Sequence, residues 1–245
     1  MLQNVRIVLV DTSHPGNIGA AARAMKNMCL EQLCLVTPKL YPNAEATVRA
    51  SGADDILAYA RVFDTLDAAL EGCRLVIGTS ARERRVSWPV LSPRECGTKL
   101  LEEAVAGPVA LVFGRESSGL TNEELDRCNY LVHIPTNAAY SSLNLGAAVQ
   151  VLAYEVYLAW LTTEVSEPRV PREVASAELM EGFHRHLAQA LEEIGFSDPQ
   201  QSDKLLRRLR SLFHRARPDQ DELNILRGIL SAAQGRKSMR TDKSP

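Results

Sequence analysis

The chain has 245 residues, of which 45% are hydrophobic and 24% are charged, and its formal net charge is -2. This is the composition of an ordinary globular protein, and it excludes a polycation that binds nucleic acid through its overall charge. Any nucleic-acid partner must therefore meet a local basic patch. The apolar runs look shorter than a bilayer requires, and the chain begins with a strand pattern in place of a signal peptide. We expect a cytoplasmic protein with no membrane partner.

The first two-thirds of the chain alternates strand-like and helical patterns. Nearly continuous Val, Ile and Leu, typical of strands covered on both faces, predict strands at residues 5–10, 33–37, 74–79, 109–113 and 130–134. Helical patterns lie between them at residues 18–28, 65–70, 99–105 and 122–126. This alternation predicts an α/β domain with a mostly parallel sheet. Binding loops in such a sheet gather at the carboxyl ends of its strands.

A polar loop follows the first predicted strand. Pro15 and Gly16 suggest a tight turn, Asn17 comes next, and Arg23 stands in a helix of otherwise small residues. The glycine spacing does not match a dinucleotide-binding fingerprint. Arg23 is either an ordinary surface arginine, as many helices carry, or a group that binds a ligand.

A second polar loop, residues 113–120, follows another predicted strand. Gly114 would let a ligand approach the backbone, Gly119 permits a turn, and Arg115 and Glu116 place opposite charges beside them. The alternative is an ordinary strand-to-helix turn with a surface ion pair. A weaker piece, residues 78–81, also lies at the end of a strand.

Residues 134–155 carry the most specific local pattern. A strand ends at Ile134, a turn follows, and a long helix with one apolar face must begin beside Ser141, Ser142 and Asn144. Small polar residues at a helix start leave backbone N–H groups and hydroxyls free to hold a ligand. Because a core helix needs only one capping residue, this loop predicts a binding site.

The character of the sequence changes after Trp160, near the end of the long predicted helix. Residues 164–174 contain two prolines, which favours a linker. Three amphipathic patterns within residues 175–233 predict a small all-α bundle. Residues 234–245 are polar, which predicts a disordered tail.

The second predicted helix of this extension is rich in arginine. Its basic residues include Arg207, Arg208, Arg210, Arg215 and Arg217. The plainer interpretation is a solvated helix face, which is the usual explanation of a charge run. The alternative is a phosphate-binding patch, because the planar guanidinium suits bidentate contacts with phosphate.

The remaining residues suggest neither a nucleophilic triad nor a metal site. His14 and His133 are far apart in sequence, and His184 and His186 cannot share one face of a helix. The five cysteines are irregularly spaced and lack the pairing of a zinc site. We therefore expect no metal.

Taken together and in this order, the three strand-end motifs resemble those of the SPOUT class of RNA methyltransferases. The first contains Asn17 and Arg23, the second is Phe-Gly-Arg-Glu at residues 113–116, and the third joins Ile-Pro at 134–135 to Ser-Ser-Leu-Asn at 141–144. The resemblance implies that residues 1–163 form a SPOUT-type catalytic domain with a C-terminal trefoil knot, a rare exception among protein folds. It also implies a homodimer with a shared active site.

The resemblance assigns roles to individual residues. The methyl donor would be S-adenosylmethionine, held by Thr79, Ser80, Ala81, Gly114, Ile134, Ser141, Ser142 and Leu143. The catalytic or RNA-positioning residues would be Arg23, Asn17, Glu116, Ser142 and Asn144. Arg23 is a candidate base in this class, but its guanidinium stays charged in proteins. We prefer the hypothesis that Arg23 clamps a phosphate beside the target ribose.

The resemblance further implies 2′-O-methylation of a cytidine or uridine at the first nucleotide of the tRNA anticodon loop. Residues 175–233 would then bind tRNA through the arginine-rich helix. One alternative is a 2′-O-ribose methyltransferase that acts on ribosomal RNA. A second is a non-catalytic RNA-binding protein with a degenerate donor pocket, although the intact motif residues argue against it.

Overall fold

The structure, a computed structural model, describes residues 1–80, 88–163, 174–197 and 203–236. A seven-stranded sheet forms the centre of the first domain. Its strands are β1 (Val5–Val10), β2 (Gln32–Val36), β3 (Arg61–Phe63), β4 (Leu75–Thr79), β5 (Val90–Leu91), β6 (Val109–Phe113) and β7 (Tyr130–Val132). The strand order is β3-β2-β1-β6-β4-β7-β5, and all neighbouring strands are parallel. The predicted α/β class is confirmed.

Helices cover both faces of this sheet. They are α1 (Pro15–Asn27), α2 (Ala44–Ala50), α3 (Asp54–Ala58), α4 (Leu66–Leu70), α5 (Pro93–Ala104), α6 (Asn122–Leu125) and α7 (Leu145–Thr163). Along β1, Ile7 and Leu9 are buried in one core, with α1, α2, α3, α5 and α7. Val8 and Val10 are buried in the other, with α4 and α6. This two-sided burial explains why the strands consist of continuous Val, Ile and Leu.

Two helices begin earlier than the sequence pattern predicts. α1 begins at Pro15, with His14 as its N-cap, so the predicted tight turn is the first turn of the helix. α5 begins at Pro93 because Ser92 and Glu95 form a capping box ahead of the apolar pattern. These local hydrogen bonds extend each helix beyond its apolar face.

Four short elements do not follow from the sequence pattern. β3 and β5 have three and two residues, and they form the two edges of the sheet. α2 and α3 have seven and five residues. Elements of this length show too few repeats of their period to be recognised.

Helix α7 is long and apolar enough to cross a membrane by length and composition, over Leu145–Thr162. The expectation that no apolar run reaches this length was therefore wrong. Within the described residues, its Val149, Leu152 and Val156 are buried in the first core, and the helix packs against α1 and α5. The apolar character of α7 thus serves, in part, the interior of the domain.

The extension contains the three predicted helices, α8 (Ala177–Glu193), α9 (Asp203–Ala216) and α10 (Gln220–Ala233). Phe183, Leu187 and Leu223 are buried in its core. Phe183 meets Phe213 edge to face, with ring centroids 4.7 Å apart. The extension therefore has a hydrophobic core of its own.

The segments on either side of this bundle are only partly described. Of the predicted linker, residues 164–173 lie outside the described residues. Of the predicted disordered tail, residues 237–245 also lie outside them. Gln234 and Arg236 belong to that predicted tail, yet they donate hydrogen bonds to Glu193 at the end of α8. Residues 234–236 therefore contact the helical extension.

Polar contacts join the extension to the α/β domain. The backbone N–H of Ala177 donates to the carbonyl of Cys73 at 3.0 Å. The Asn129 side-chain amide lies 3.0 Å from Nδ1 of His214 on α9. The helical extension therefore packs directly against the α/β domain beside Cys73 and Asn129.

A glycine at the contact of α5 and α7 generates a stability prediction. A Cβ atom on Gly97 would lie 2.5 Å from the carbonyl oxygen of Glu155, whereas one on Gly228 in α10 would meet nothing within 4 Å. We expect Gly97→Ala to lower the free energy of unfolding by about 1–3 kcal/mol through overpacking. Gly228→Ala should raise it by up to about 1 kcal/mol through helix propensity. Chemical denaturation of both variants measures these changes; equal effects would contradict the close packing of α5 on α7.

The two buried histidines of the extension predict a loss of stability in mild acid. His184 and His214 lie with ring centroids 5.2 Å apart. Burial disfavours the charged ring and lowers the pKa of His184 to about 2 and of His214 to about 4, from 6.5. The unfolded chain therefore binds protons below about pH 6.5 that the folded chain does not. The stability of the extension should fall as the pH drops from that value towards about 4.

Thermal unfolding between about pH 7 and about pH 5 measures this effect. His184→Leu removes one titrating ring and should make the pH dependence shallower. The matched control is His186→Leu, on the same helix, where the ring is only partly buried. A wild-type midpoint that does not change over this range would contradict the burial of the histidine pair.

Candidate active site

Polar loops meet at the carboxyl ends of four adjacent strands, β1, β6, β4 and β7. The loops that follow β4, β6 and β7 enclose a cleft beside the start of α7. Its lining residues are Thr79, Ser80, Phe113, Gly114, Arg115, Glu116, Ser117, Ser118, Gly119, Val132, Ile134, Ser141, Ser142, Leu143, Leu145 and Ala148. Segments far apart in sequence therefore contribute to one concave site.

The cleft contains seven of the eight residues to which the family resemblance assigns binding of the methyl donor. They are Thr79, Ser80, Gly114, Ile134, Ser141, Ser142 and Leu143. Ala81 lies outside the described residues. The walls combine apolar side chains with hydroxyl and backbone groups, which is typical of small-molecule sites. The structure brings these residues together, and their contact with a donor stays a prediction.

Gly114 is required by the loop itself. A Cβ atom there would lie 2.2 Å from the carbonyl carbon of Gly119 and 2.3 Å from the nitrogen of Leu120. The close return of the chain therefore requires a glycine at this position, and the approach of a ligand to its backbone stays a prediction. Gly119 has a φ of 72°, in the left-handed region, so the turn predicted there is confirmed.

The Glu116 carboxylate joins the loop after β6 to the loop after β1. Oε1 accepts hydrogen bonds from the side chain of Asn17 at 2.9 Å and the backbone of His14 at 3.4 Å. Oε2 accepts from the backbone and hydroxyl of Ser13 at 3.2 and 3.1 Å. Burial alone would raise the pKa of Glu116, but the hydrogen bonds from Asn17, its own backbone and Ser13 lower it below its usual value. The group is an ionised acceptor that fixes both loops.

Asn17 extends this network to the third motif. Asn144 Nδ2 donates to Asn17 Oδ1 at 2.9 Å, and Asn144 Oδ1 accepts from the backbone of Gly146 at 2.9 Å. The second bond caps α7 as the sequence pattern predicts. Glu116, Asn17 and Asn144 thus form one chain of hydrogen bonds through all three motifs.

The other two predicted catalytic residues lie apart from that chain. Ser142 lines the cleft. Arg23 is exposed on α1, and among the described residues it forms neither a hydrogen bond nor an ion pair. A guanidinium in this state is available to an external anion.

The arginines that are predicted to bind phosphate have two kinds of surroundings in the structure. Arg207, Arg210 and Arg217 face acidic groups of the protein. Arg210 pairs with Glu181 of α8, and Arg217 donates to Glu103 of α5 at 2.8 Å. Their side chains are only 18% and 11% exposed, respectively. These ion pairs help to fix the helix in place, and phosphate binding by Arg207, Arg210 and Arg217 stays a prediction.

Arg207 lies on the face of α9 that contacts acidic side chains, and its Nε is 3.7 Å from a carboxylate oxygen of Asp126. Arg208 and Arg215, by contrast, are exposed on α9 together with Lys204. The helix therefore divides into a face that contacts acidic groups and a face that meets solvent. Sequence spacing alone does not reveal which arginines belong to each.

An ion-pair cluster beside the site escaped prediction. Asp11, directly after β1, contacts both Lys39 and Arg115. The sequence suggested a surface ion pair beside Arg115 but did not identify its partners, Asp11 and Glu124. Within the described ranges, no three His, Cys, Asp or Glu side chains gather into a candidate metal site.

Comparison with known proteins identifies the family. The model of the SpoU rRNA methylase family matches residues 4–154. The chain belongs to the SpoU rRNA methylase family. A second family model, the C-terminal domain of the tRNA methyltransferase TrmJ, matches residues 178–244. The two matches correspond to the α/β domain and the helical extension.

Relatives match the chain over nearly its whole length. It is 54% identical over 244 residues to the tRNA (cytidine/uridine/adenosine-2′-O-)-methyltransferase TrmJ of Pseudomonas aeruginosa, covering 96% of this chain and 95% of that protein. It is 54% identical over 237 residues to the tRNA (cytidine/uridine-2′-O-)-methyltransferase TrmJ of Escherichia coli K12, covering 96% of each. The crystal structure of TrmJ from Z. mobilis ZM4 superposes with a TM-score of 0.80 at 34% identity, covering 93% of this chain and 97% of that one. The family inferred from the motifs is confirmed; the trefoil knot stays a prediction.

Proposed function

We propose that the protein is an S-adenosylmethionine-dependent tRNA (cytidine/uridine-2′-O-)-methyltransferase that acts on the first nucleotide of the anticodon loop. The observation that carries the proposal is the cleft bounded by the loops after β4, β6 and β7, beside the Glu116–Asn17–Asn144 hydrogen-bond chain. Membership of a methylase family and the similarity to tRNA 2′-O-methyltransferases over 96% of the chain support it.

The cleft suits a donor that has both apolar and polar parts. Val132, Ile134 and Leu143 offer apolar surface, while Thr79 and Ser141 offer polar groups. When bound, S-adenosylmethionine would supply a sulfonium methyl group for transfer to a hydroxyl oxygen. The protein must therefore align the acceptor and accept one proton, and this chemistry requires no metal.

The chain's own residues would divide the work on the acceptor. Glu116 is held ionised by its hydrogen bonds, so it would orient Asn17 and Asn144. Arg23, exposed and unpaired within the described residues, would clamp a phosphate beside the target ribose. That phosphate or a water molecule would then receive the proton, because a guanidinium is a poor base.

The extension would hold tRNA through the solvent face of α9. A chain with a net charge of -2 needs a local cationic surface for a polyanion. Lys204, Arg208 and Arg215 provide one, since they are exposed and their spacing places them on one side of the helix. Arg207, Arg210 and Arg217 would act indirectly by fixing that helix.

A homodimer with a shared active site is part of the proposal. Only 33% of the apolar stretch Leu145–Thr162 of α7 is buried within the single chain. Tyr154 and Leu161 on this helix are 47% and 46% exposed. A second copy would cover this surface, as exposed apolar patches of this kind mark protein interfaces. The dimer would work in the cytoplasm, where its tRNA substrate is found.

Transfer of an isotopically labelled methyl group to RNA tests the proposal. After alkaline hydrolysis, the label should remain in a resistant dinucleotide from the start of the anticodon loop, because a 2′-O-methyl group protects the adjacent phosphodiester. Label in ribosomal RNA would instead support the first alternative, a ribosomal RNA methyltransferase. Donor binding without transfer to either RNA would support the non-catalytic alternative.

The phosphate clamp predicts the behaviour of Arg23 variants. Arg23→Ala should lower kcat at saturating tRNA and donor by at least about tenfold through misplacement of the ribose, while donor affinity is kept. Arg23→Lys should also be impaired, because a point charge does not replace the bidentate guanidinium. The control is Lys26→Ala on the same helix, where the lysine pairs with Asp55 at 2.8 Å. Near-normal turnover of Arg23→Lys would exclude the clamp.

The two faces of α9 predict different consequences of mutation. Replacing Arg208 and Arg215 by alanine should weaken binding of all tRNAs and reduce the slope of log affinity against log salt by about 0.7–0.9 per lost contact. Arg210→Ala should lower the thermal unfolding midpoint instead, since it breaks the pair with Glu181. Binding titrations at several salt concentrations measure the difference. An unchanged slope for the double variant would mean that this face does not touch RNA.

A further inference from the structure

Arg115 lies between Gly114, which lines the cleft, and Glu116, which accepts the hydrogen bonds from Asn17 and Ser13. The function proposed above gives Arg115 no role. Its side chain donates from Nε to Asp11 at 2.7 Å and from Nη1 to both carboxylate oxygens of Glu124 at 3.1 and 3.0 Å. The three side chains are only 27%, 18% and 14% exposed. Arg115 therefore joins the end of β1, the loop after β6 and helix α6.

The Asp11 end of this contact is fixed from several directions. Its φ of 52° lies in the left-handed region, and its backbone N–H donates to the carbonyl of Val36 at 2.8 Å. The hydrogen bond from Lys39 lowers the pKa of Asp11 and, with that from Arg115, outweighs the opposing effect of burial. The carboxylate therefore stays ionised and pairs with both cations at neutral pH.

The Glu124 end is fixed by the start of α6. Glu124 accepts a hydrogen bond from the backbone of Thr121 at 2.7 Å in a capping box. The loop before it is closed by two backbone hydrogen bonds between Arg115 and Gly119, at 3.2 and 2.8 Å. Arg115 is thus held at its backbone and at both ends of its guanidinium.

Arg115 and Glu116 are neighbours in sequence, and each connects the loop after β6 to the segment after β1. Arg115 contacts Asp11, and Glu116 contacts Ser13 and His14. The first contact limits how far the loop after β6 can move relative to β1. The hydrogen bonds of Glu116 depend on the distance between the two loops, because hydrogen bonds weaken steeply as their geometry departs from the optimum.

We propose that Arg115 is a positioning residue for methyl transfer, which acts through Glu116 by holding the loop after β6 against the end of β1. This role rests on the proposed function. A lysine cannot perform it fully, because one ammonium does not reach two carboxylates with the geometry of the guanidinium.

The same domain supplies a matched control. Arg127 pairs with Asp67 at 2.9 Å, and its side chain is 28% exposed, compared with 27% for Arg115. That pair joins the end of α6 to α4 and leaves the cleft loops untouched. Arg115→Met removes the ion pairs with Asp11 and Glu124, and Arg127→Met removes a pair with Asp67 away from the cleft loops.

The first measurement is kcat at saturating tRNA and donor. Arg115→Met should lower kcat by about 10- to 100-fold, because a small misplacement of reacting groups has effects of this size. Arg127→Met should stay within about twofold of the wild type, since surface pairs contribute little beyond their own site. Arg115→Lys should recover part of the loss. Wild-type turnover in a folded Arg115→Met protein would overturn the proposal.

The second measurement separates positioning from general destabilisation. In a Glu116→Gln background, Arg115→Met should change kcat by less than about twofold, because the group through which it acts is already altered. If the full loss of the single variant reappears there, Arg115 does not act through Glu116 and the proposal is overturned. If Arg115→Met does not fold, Asp11→Asn removes the same ion pair and takes its place in both measurements. A wild-type protein with no transfer activity would overturn the proposed function itself, whereas an active wild type with an equally active Arg115→Met overturns only the positioning role.

Discussion

The site depends on one half-buried carboxylate, that of Glu116, and on the hydrogen bonds that it accepts. Its two oxygens accept from the loop after β1, and through Asn17 they reach Asn144 at the start of α7. Removing the carboxylate would leave several donors without their acceptor, which costs more than the net value of one hydrogen bond. One ionised group therefore sets the relative positions of three segments that lie far apart in the chain.

The parallel sheet makes this convergence possible. Because β1, β6, β4 and β7 are neighbours and point the same way, their following loops emerge on one side. The cores on both faces hold the strands rigidly, so the loops can be irregular without loss of geometry. The extension uses a different device, in which arginines paired with Glu103 and Glu181 hold α9 so that its other face meets solvent.

The sequence predicted the elements whose patterns are long and apolar, together with the motif residues that meet at the strand ends. It did not predict β3, β5, α2 or α3, which are too short to show a period. Nor did it reveal that the chain returns to Gly119, which requires a glycine at position 114. The division of the arginines of α9 also needed three-dimensional partners, because Glu103 and Asp126 are distant in sequence. Local pattern thus indicated the loops that meet at the cleft, and tertiary contacts show which groups each side chain meets there.

The most direct test is a crystal structure of the full chain with S-adenosylhomocysteine, the product form of the donor. The account predicts that the ligand lies in the cleft against Gly114, Ile134 and Leu143, with polar contacts from Ser80 or Ser141. It also predicts that the hydrogen bonds from Asn17 to Glu116 and from Asn144 to Asn17 persist beside it. A ligand bound outside this cleft, or one whose binding breaks that chain of hydrogen bonds, would contradict the account.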